Sequence, residues 1–243
     1  MINFVETEVF GFVCLNFEFM GRPARIIKPS CKPSGKWLLK TEYADAFPST
    51  EIELLSRGWH VAFNKNDNRW AEPDDLSRKA EFIRFVSKTF SLEEKCVPVG
   101  MSCGGLYAVK LAARNPELIA ALYLDAPVMN LLSCPAALGV SKTGLMEEYV
   151  NCTGRTLTEL LSYRDHPIDN MHVLLENGLP VLLVSGDSDR TVPYSENGVL
   201  LERLYKDKGG RITVHIKEGC DHHPHGLDDP TVLADEIEAM VNS

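Results

Sequence analysis

Gly100-Met101-Ser102-Cys103-Gly104 is the stretch from which the rest of this chain is read. The apolar run Lys95-Cys96-Val97-Pro98-Val99 leads into it, and the helix-forming run Gly105 to Ala113 leads out. A strand, a G-x-S-x-G turn and a helix in that order force the chain to reverse within a few residues. The central serine is then held in a strained backbone conformation, with its hydroxyl standing clear of the sheet. Gly100 and Gly104 lack a Cβ, so the strand end and the helix can approach at the bend. The helix start aims unpaired N–H groups at any negative charge that develops beside Ser102, and the Cys103 N–H is the first candidate oxyanion donor. A lone pentad is weak evidence; its weight depends on an acid and a histidine following in a suitable order.

Outward from this turn, apolar runs alternate with amphipathic ones. Val9 to Phe19 and Arg25 to Lys28 read as an opening hairpin, with Met20-Gly21 at the turn. Further strands are expected at Lys36 to Lys40, Trp59 to Asn64, Lys95 to Val99, Leu118 to Leu124, Pro180 to Ser185 and Ile212 to Lys217. Between them, Leu76, Ala80, Ile83, Val86 and Phe90 are spaced for one helix face, and Ser49 or Thr50 is placed to cap a helix stopped by Gly58. Helices are also expected over 170–177, 195–208 and 230–241, with Asp169-Asn170 as a start signal for the first of these. The class is α/β, a mostly parallel, doubly wound sheet of about eight strands. Residues 128–167 break the rhythm and read as a small helical lid inserted into one domain that spans 1–243.

Composition narrows the function. A formal charge of −9 without a basic cluster argues against a nucleic-acid groove. The hydrophobic share of 44% and charged share of 24% are those of a soluble globular protein. The seven cysteines have no regular spacing, which excludes a disulfide framework. Met1 to Glu6 carries no basic segment followed by an apolar one, and no run reaches membrane-spanning length, so a reducing cytoplasm and no membrane partner are expected. Oligomeric state is left open.

In open α/β sheets the working residues lie beyond the carboxyl ends of the strands. Gly186-Asp187-Ser188-Asp189-Arg190-Thr191-Val192-Pro193 follows the penultimate strand, and Glu218-Gly219-Cys220-Asp221-His222-His223-Pro224-His225-Gly226 follows the last. With Ser102 the chain order is Ser, Asp, His. Through that order and these blocks, the sequence resembles the α/β-hydrolase superfamily, and within it bacterial esterase-like hydrolases, some of which act on plant polysaccharides. The similar blocks are 37–48, 100–107, 123–128, 166–170, 186–197 and 222–227, so the likeness runs nearly the length of the chain.

The resemblance implies Ser102 as nucleophile, His222 as base and Asp189 as the acid that orients it. His223 and His225 remain rivals for the base or for contacts with substrate. Asp187 is expected to brace its turn, and Asp125, at a central strand end, to be structural or an alternative acid. The second oxyanion donor is expected after the third strand, from a backbone N–H near Thr41 or Glu42. The relatives carry arginine where this chain has Lys40 and Cys103. A lysine cannot offer the planar fork, and at position 103 only the backbone N–H is required. Lys40, Tyr43, Trp70, Tyr194, His223 and His225 are the candidate pocket residues. No cofactor is expected, and the crowded histidines of one loop match no regular zinc spacing, so no metal is either.

The expected reaction is therefore hydrolysis of an acyl ester, with a small-molecule ester as the partner. The alcohol is expected to be carbohydrate or plant-derived by resemblance alone. The short chain favours ester over amide. A small serine peptidase, an acyltransferase and a non-catalytic hydrolase-fold binding protein are the alternatives.

Overall fold

The structure, a computed structural model, describes residues 2–242. Nine strands form one sheet in the order β1-β2-β3-β5-β4-β6-β7-β8-β9. The N-terminal strands β1 (Val5–Val9), β2 (Phe12–Phe19) and β3 (Arg22–Ile27) are antiparallel, and β3 runs antiparallel to β5 (His60–Asn64). From β5 onward, through β4 (Trp37–Lys40), β6 (Val97–Met101), β7 (Leu122–Asp125), β8 (Val181–Gly186) and β9 (Ile212–Lys217), every pairing is parallel.

The ninth strand is β1. The apolar pair Val9-Phe10 reads as the continuation of one long strand, but Phe10 and Gly11 both take positive φ, 55° and 82°, and turn the chain into an additional hairpin. The expected strand over 118–124 is also shorter. Pro116–Leu118 forms a 3-10 turn, and only Leu122–Asp125 pairs as β7.

The helices divide between the two faces. α1 (Ser49–Ser56) and α8 (Pro230–Val241) cover one face, where Leu54, Leu55, Leu233 and Ile237 meet Val97, Val99, Tyr123, Leu182 and Val184. α2 (Pro73–Phe90), α3 (Cys103–Arg114), α6 (Pro167–Glu176) and α7 (Gly198–Lys208) cover the other, over Leu39, Leu122, Leu124, Val181 and Leu183. Adjacent residues of β7 and β8 thus serve opposite faces, which is why 122–124 and 181–184 are apolar without interruption. Two helix starts differ from expectation. α1 is entered from Pro48 without a side-chain cap, and α6 begins at Pro167, with Asp169 reaching back to the His166 N–H at 3.0 Å. The segment 128–167 holds two short helices, α4 (Met146–Thr153) and α5 (Leu157–Ser162). Among the described residues no helix is long and apolar enough to cross a membrane.

His60, at the start of β5, is buried, and its Nδ1 has no hydrogen-bond partner. Burial first, and the Lys28 charge second, lower its pKa to about 4. The unfolded chain protonates this histidine near its ordinary value while the folded chain keeps it neutral. Stability is therefore full above about pH 6.5 and falls as the pH drops from there toward 4, by roughly 3 kcal/mol in all. In His60→Leu this one-proton slope should vanish in urea unfolding measured across that range; an unchanged slope would assign the acid sensitivity elsewhere.

Candidate active site

Ser102 sits between β6 and α3 with φ 53° and ψ −120°, a conformation that costs about 1–3 kcal/mol and has to be held in place by its surroundings. Three backbone bonds do so. The Ser102 N–H donates to Asp125 O at 2.9 Å, and its own carbonyl accepts from Gly105 (2.9 Å) and Val128 (3.0 Å). Close backbone approach does the rest. A Cβ on Gly105 would stand 2.3 Å from Pro127 Cβ, and one on Gly100 would stand 2.7 Å from Gly105 Cα.

The loops after β8 and β9 meet at Ser102. His222 Nε2 lies 3.0 Å from Ser102 Oγ, and His222 Nδ1 lies 2.7 Å from Asp189 Oδ2. The other Asp189 oxygen accepts from the Thr191 and Val192 N–H groups, both at 2.8 Å, which fixes the carboxylate plane. Burial raises the pKa of Asp189. Its hydrogen bond and charge interaction with His222, together with the two N–H donors, outweigh that and hold the carboxyl below the usual value. The acid and base loops are also tied from outside. Arg190 donates to Asp221 from its N–H (2.9 Å), Nε (2.9 Å) and Nη2 (2.6 Å), and Asp221 in turn accepts the His222 N–H at 2.8 Å. The Arg190 donors hold the Asp221 carboxyl down at about 2. Asp187 accepts from Gly219 N–H at 2.8 Å and Ser188 Oγ at 2.9 Å, bracing the turn.

A second histidine–carboxylate pair lies alongside. His225 Nδ1 is 2.7 Å from Asp125 Oδ1, while Asp125 Oδ2 accepts the Gly226 N–H at 2.6 Å. Asp125 thus serves His225, not His222. The rings of His222 and His225 are 5.1 Å apart, and exposed His223 stacks on Phe47 at 5.2 Å.

These groups open on a cavity of about 340 Å³, with Ser102, His222, His223, His225, Tyr43, Phe47, Arg69, Met101, Leu145 and Thr191 among its walls. Three expected pocket residues are elsewhere. Lys40 is buried behind the wall, where Nζ pairs with Glu51 and donates to Ala46 O at 3.1 Å. Trp70 is buried edge-on against Tyr149, ring centres 5.2 Å apart. Tyr194 bonds Glu202 on the flank of α7. The residue that reaches the cavity from the loop after β5 is Arg69, next to Trp70 in sequence. Its Nε lies 2.7 Å from Glu148 Oε1, so α4 is tied to the pocket wall. The sequence signal for this is an arginine among Asn and Asp residues, whereas Trp70 suits a pocket or a core equally well.

Around the would-be oxyanion, the Cys103 N–H begins α3. The Thr41 N–H is not available, since it donates to Val99 O at 3.2 Å as a continuation of sheet pairing. Thr41 Oγ1 lies 2.9 Å from Val99 O and 2.8 Å from Gly104 O, bracing the helix start. That leaves Glu42, whose N is 3.6 Å from where a Gly104 Cβ would stand. Burial pushes the Cys103 thiol up to about 11, so it is protonated at neutral pH and does not compete with the hydroxyl. A hydroxyl on an imidazole whose far nitrogen meets a buried carboxylate can lose its proton on attacking a carbonyl.

Against known proteins, the sequence profile described as the prolyl oligopeptidase family matches residues 53–242. A truncated form of a carbohydrate esterase from gut microbiota superposes with a TM-score of 0.71 at 14% identity, covering 90% of this chain and 91% of that one. Acetyl xylan esterase 1 from Thermoanaerobacterium sp. gives 0.68 at 15% identity, over 99% of this chain and 87% of that one. The acylaminoacyl peptidase of Pyrococcus horikoshii gives 0.65 at 14% identity, but although 91% of this chain is covered, it spans only 37% of that chain. At these identities the likeness is one of fold.

The packing around the turn has a measurable consequence. Gly105→Ala should destabilise the chain by about 2 kcal/mol, because the new methyl meets Pro127 in backbone that also holds Ser102. Urea unfolding checks this; a loss below roughly 0.5 kcal/mol would mean that the Pro127 segment moves aside freely.

Proposed function

The chain belongs to the prolyl oligopeptidase family and is a serine hydrolase, and from that premise we propose that it cleaves a small acyl ester through Ser102, His222 and Asp189. The observation that carries this reading is the continuous bond path Asp189 Oδ2–His222–Ser102 Oγ, at 2.7 and 3.0 Å, opening on the cavity. Ser102 Oγ attacks the acyl carbonyl as His222 Nε2 takes its proton. Asp189 holds the ring so that Nδ1 keeps its hydrogen and stabilises the imidazolium that forms. The Cys103 N–H and the Glu42 N–H receive the oxyanion. His222 returns the proton to the leaving alcohol, and water then releases the acyl group by the same route in reverse.

Ester is favoured over amide by the cavity itself. About 340 Å³ suits a short acyl group with part of an alcohol, and the described residues lining it include no Asp or Glu to hold a peptide amino terminus. The two esterases are also neighbours whose length the chain nearly matches, which supports a carbohydrate ester as substrate. The second reading is peptidase action, favoured by the acylaminoacyl peptidase likeness. All seven cysteines are free thiols, which fits a reducing cytoplasm.

Ser102→Ala should lower turnover of p-nitrophenyl acetate by about ten-thousand-fold or more while leaving the unfolding transition in place. Wild-type activity on acetyl, methyl and feruloyl esters, set against an aminoacyl anilide, separates the two readings. Retained activity in Ser102→Ala would remove that residue from the role.

A further inference from the structure

The acyl-transfer scheme uses one imidazole of a cluster of three. His222, His223 and His225 have ring centres 4.8 to 5.1 Å apart, and one ring nitrogen of each lies within 4.8 Å of the others. All three face the cavity that holds Ser102. Against the expectation from their sequence spacing, we propose that they form a binding site for a divalent transition metal, with Zn²⁺ as the reference ion, and that occupation switches the hydrolase off.

The chemistry of the donors supports this. Imidazole nitrogen suits Zn²⁺, Cu²⁺ and Ni²⁺ and is a poor ligand for Mg²⁺ or Ca²⁺. Metal-binding histidines usually give their second ring nitrogen to a carboxylate, which orients the ring and raises its basicity. Two of the three are already held so. Asp189 takes Nδ1 of His222 and Asp125 takes Nδ1 of His225, both at 2.7 Å, leaving Nε2 of each as the coordinating atom. These two carboxylates are also buried, with side-chain exposures of 0% and 1%, and balance the charge a dication would bring. The cation that also lines the cavity, Arg69, is paired with Glu148.

Tetrahedral coordination at about 2.0–2.1 Å sets neighbouring nitrogens about 3.3 Å apart, so the cluster must contract by up to about 1.5 Å. Exposed His223 turns about its side-chain bonds, and smaller rotations of the His222 and His225 rings against their carboxylates bring those two nitrogens to the same separation. The fourth position faces the cavity and takes water or the Ser102 hydroxyl. No bond is made or broken beyond coordination. Once its Nε2 lone pair is given to the metal, His222 no longer accepts the Ser102 proton. The inhibition, though not the binding, rests on His222 being the base.

The test is Zn²⁺ calorimetry on the full chain carrying Cys31→Ser, Cys152→Ser and Cys220→Ser, which removes the thiols that solvent reaches. One site of micromolar or tighter affinity is expected. His223→Ala, at an exposed position, should weaken it by at least about tenfold, and His225→Gln should act in the same direction. Ser102→Ala should still bind, which separates the metal site from the hydrolase reading. In the parent, Zn²⁺ should inhibit ester hydrolysis with the same midpoint, and EDTA should restore it. No saturable binding up to roughly 1 mM, or binding untouched by either histidine change, overturns the site; binding without inhibition overturns the switch.

Discussion

Everything at the carboxyl edge of the sheet depends on backbone segments approaching more closely than a side chain would allow. A Cβ on Gly186 would stand 2.2 Å from Cys220 O, so the loops after β8 and β9 touch at their roots. From that contact Asp189 and His222 need only a few residues each to reach one another. The same holds at the other side of the site, where Gly100 and Gly105 let β6, α3 and the Pro127 segment share one small volume. Three loops distant in sequence meet because β6, β8 and β9 run parallel in one sheet, with only β7 between β6 and β8, and end at the same edge.

Once the loops meet, burial sets the electrostatics. A carboxylate in a dry environment is costly unless it accepts several hydrogen bonds. Asp189 accepts two N–H groups and faces an imidazole; Asp125 accepts one N–H group and faces another imidazole. Each arrangement fixes one ring. Outside them, the exposed Arg190–Asp221 contact adds geometry more than energy, since surface pairs contribute little on their own. It ties the acid loop to the base loop and leaves His222 little room to swing away.

Residues 128–167 are held to the rest of the molecule by a few long-range contacts, and Leu145 among them lines the cavity. Arg69 holds Glu148 of α4, and Arg155, just beyond that helix, makes paired bonds of 2.7 and 2.9 Å to Glu72 near the start of α2. Asn197 accepts the N–H groups of Met129 and Asn130, both at 3.0 Å, which anchors the beginning of the segment to the stretch that carries Asp189. The cavity wall is therefore shared by elements far apart in the chain.

Much of this was legible in the sequence. The period of the apolar runs fixes strands and helices, because a strand covered on both faces must be apolar throughout. Gly100 and Gly104 on either side of a serine at a strand-to-helix turn mark Ser102, because few other local sequences can make that bend. Chain order then relates Ser102, Asp189 and His222, since parallel strands deliver successive loops to one edge. What only the tertiary structure decided is which way individual side chains face. Trp70 turns into the core while Arg69 turns into the cavity, and Lys40 is taken up by Glu51 behind the wall. The Thr41 N–H is spent on the sheet, and Asp125 belongs to His225. Neighbours in sequence carry no information about these choices, because each is settled by partners dozens of residues away.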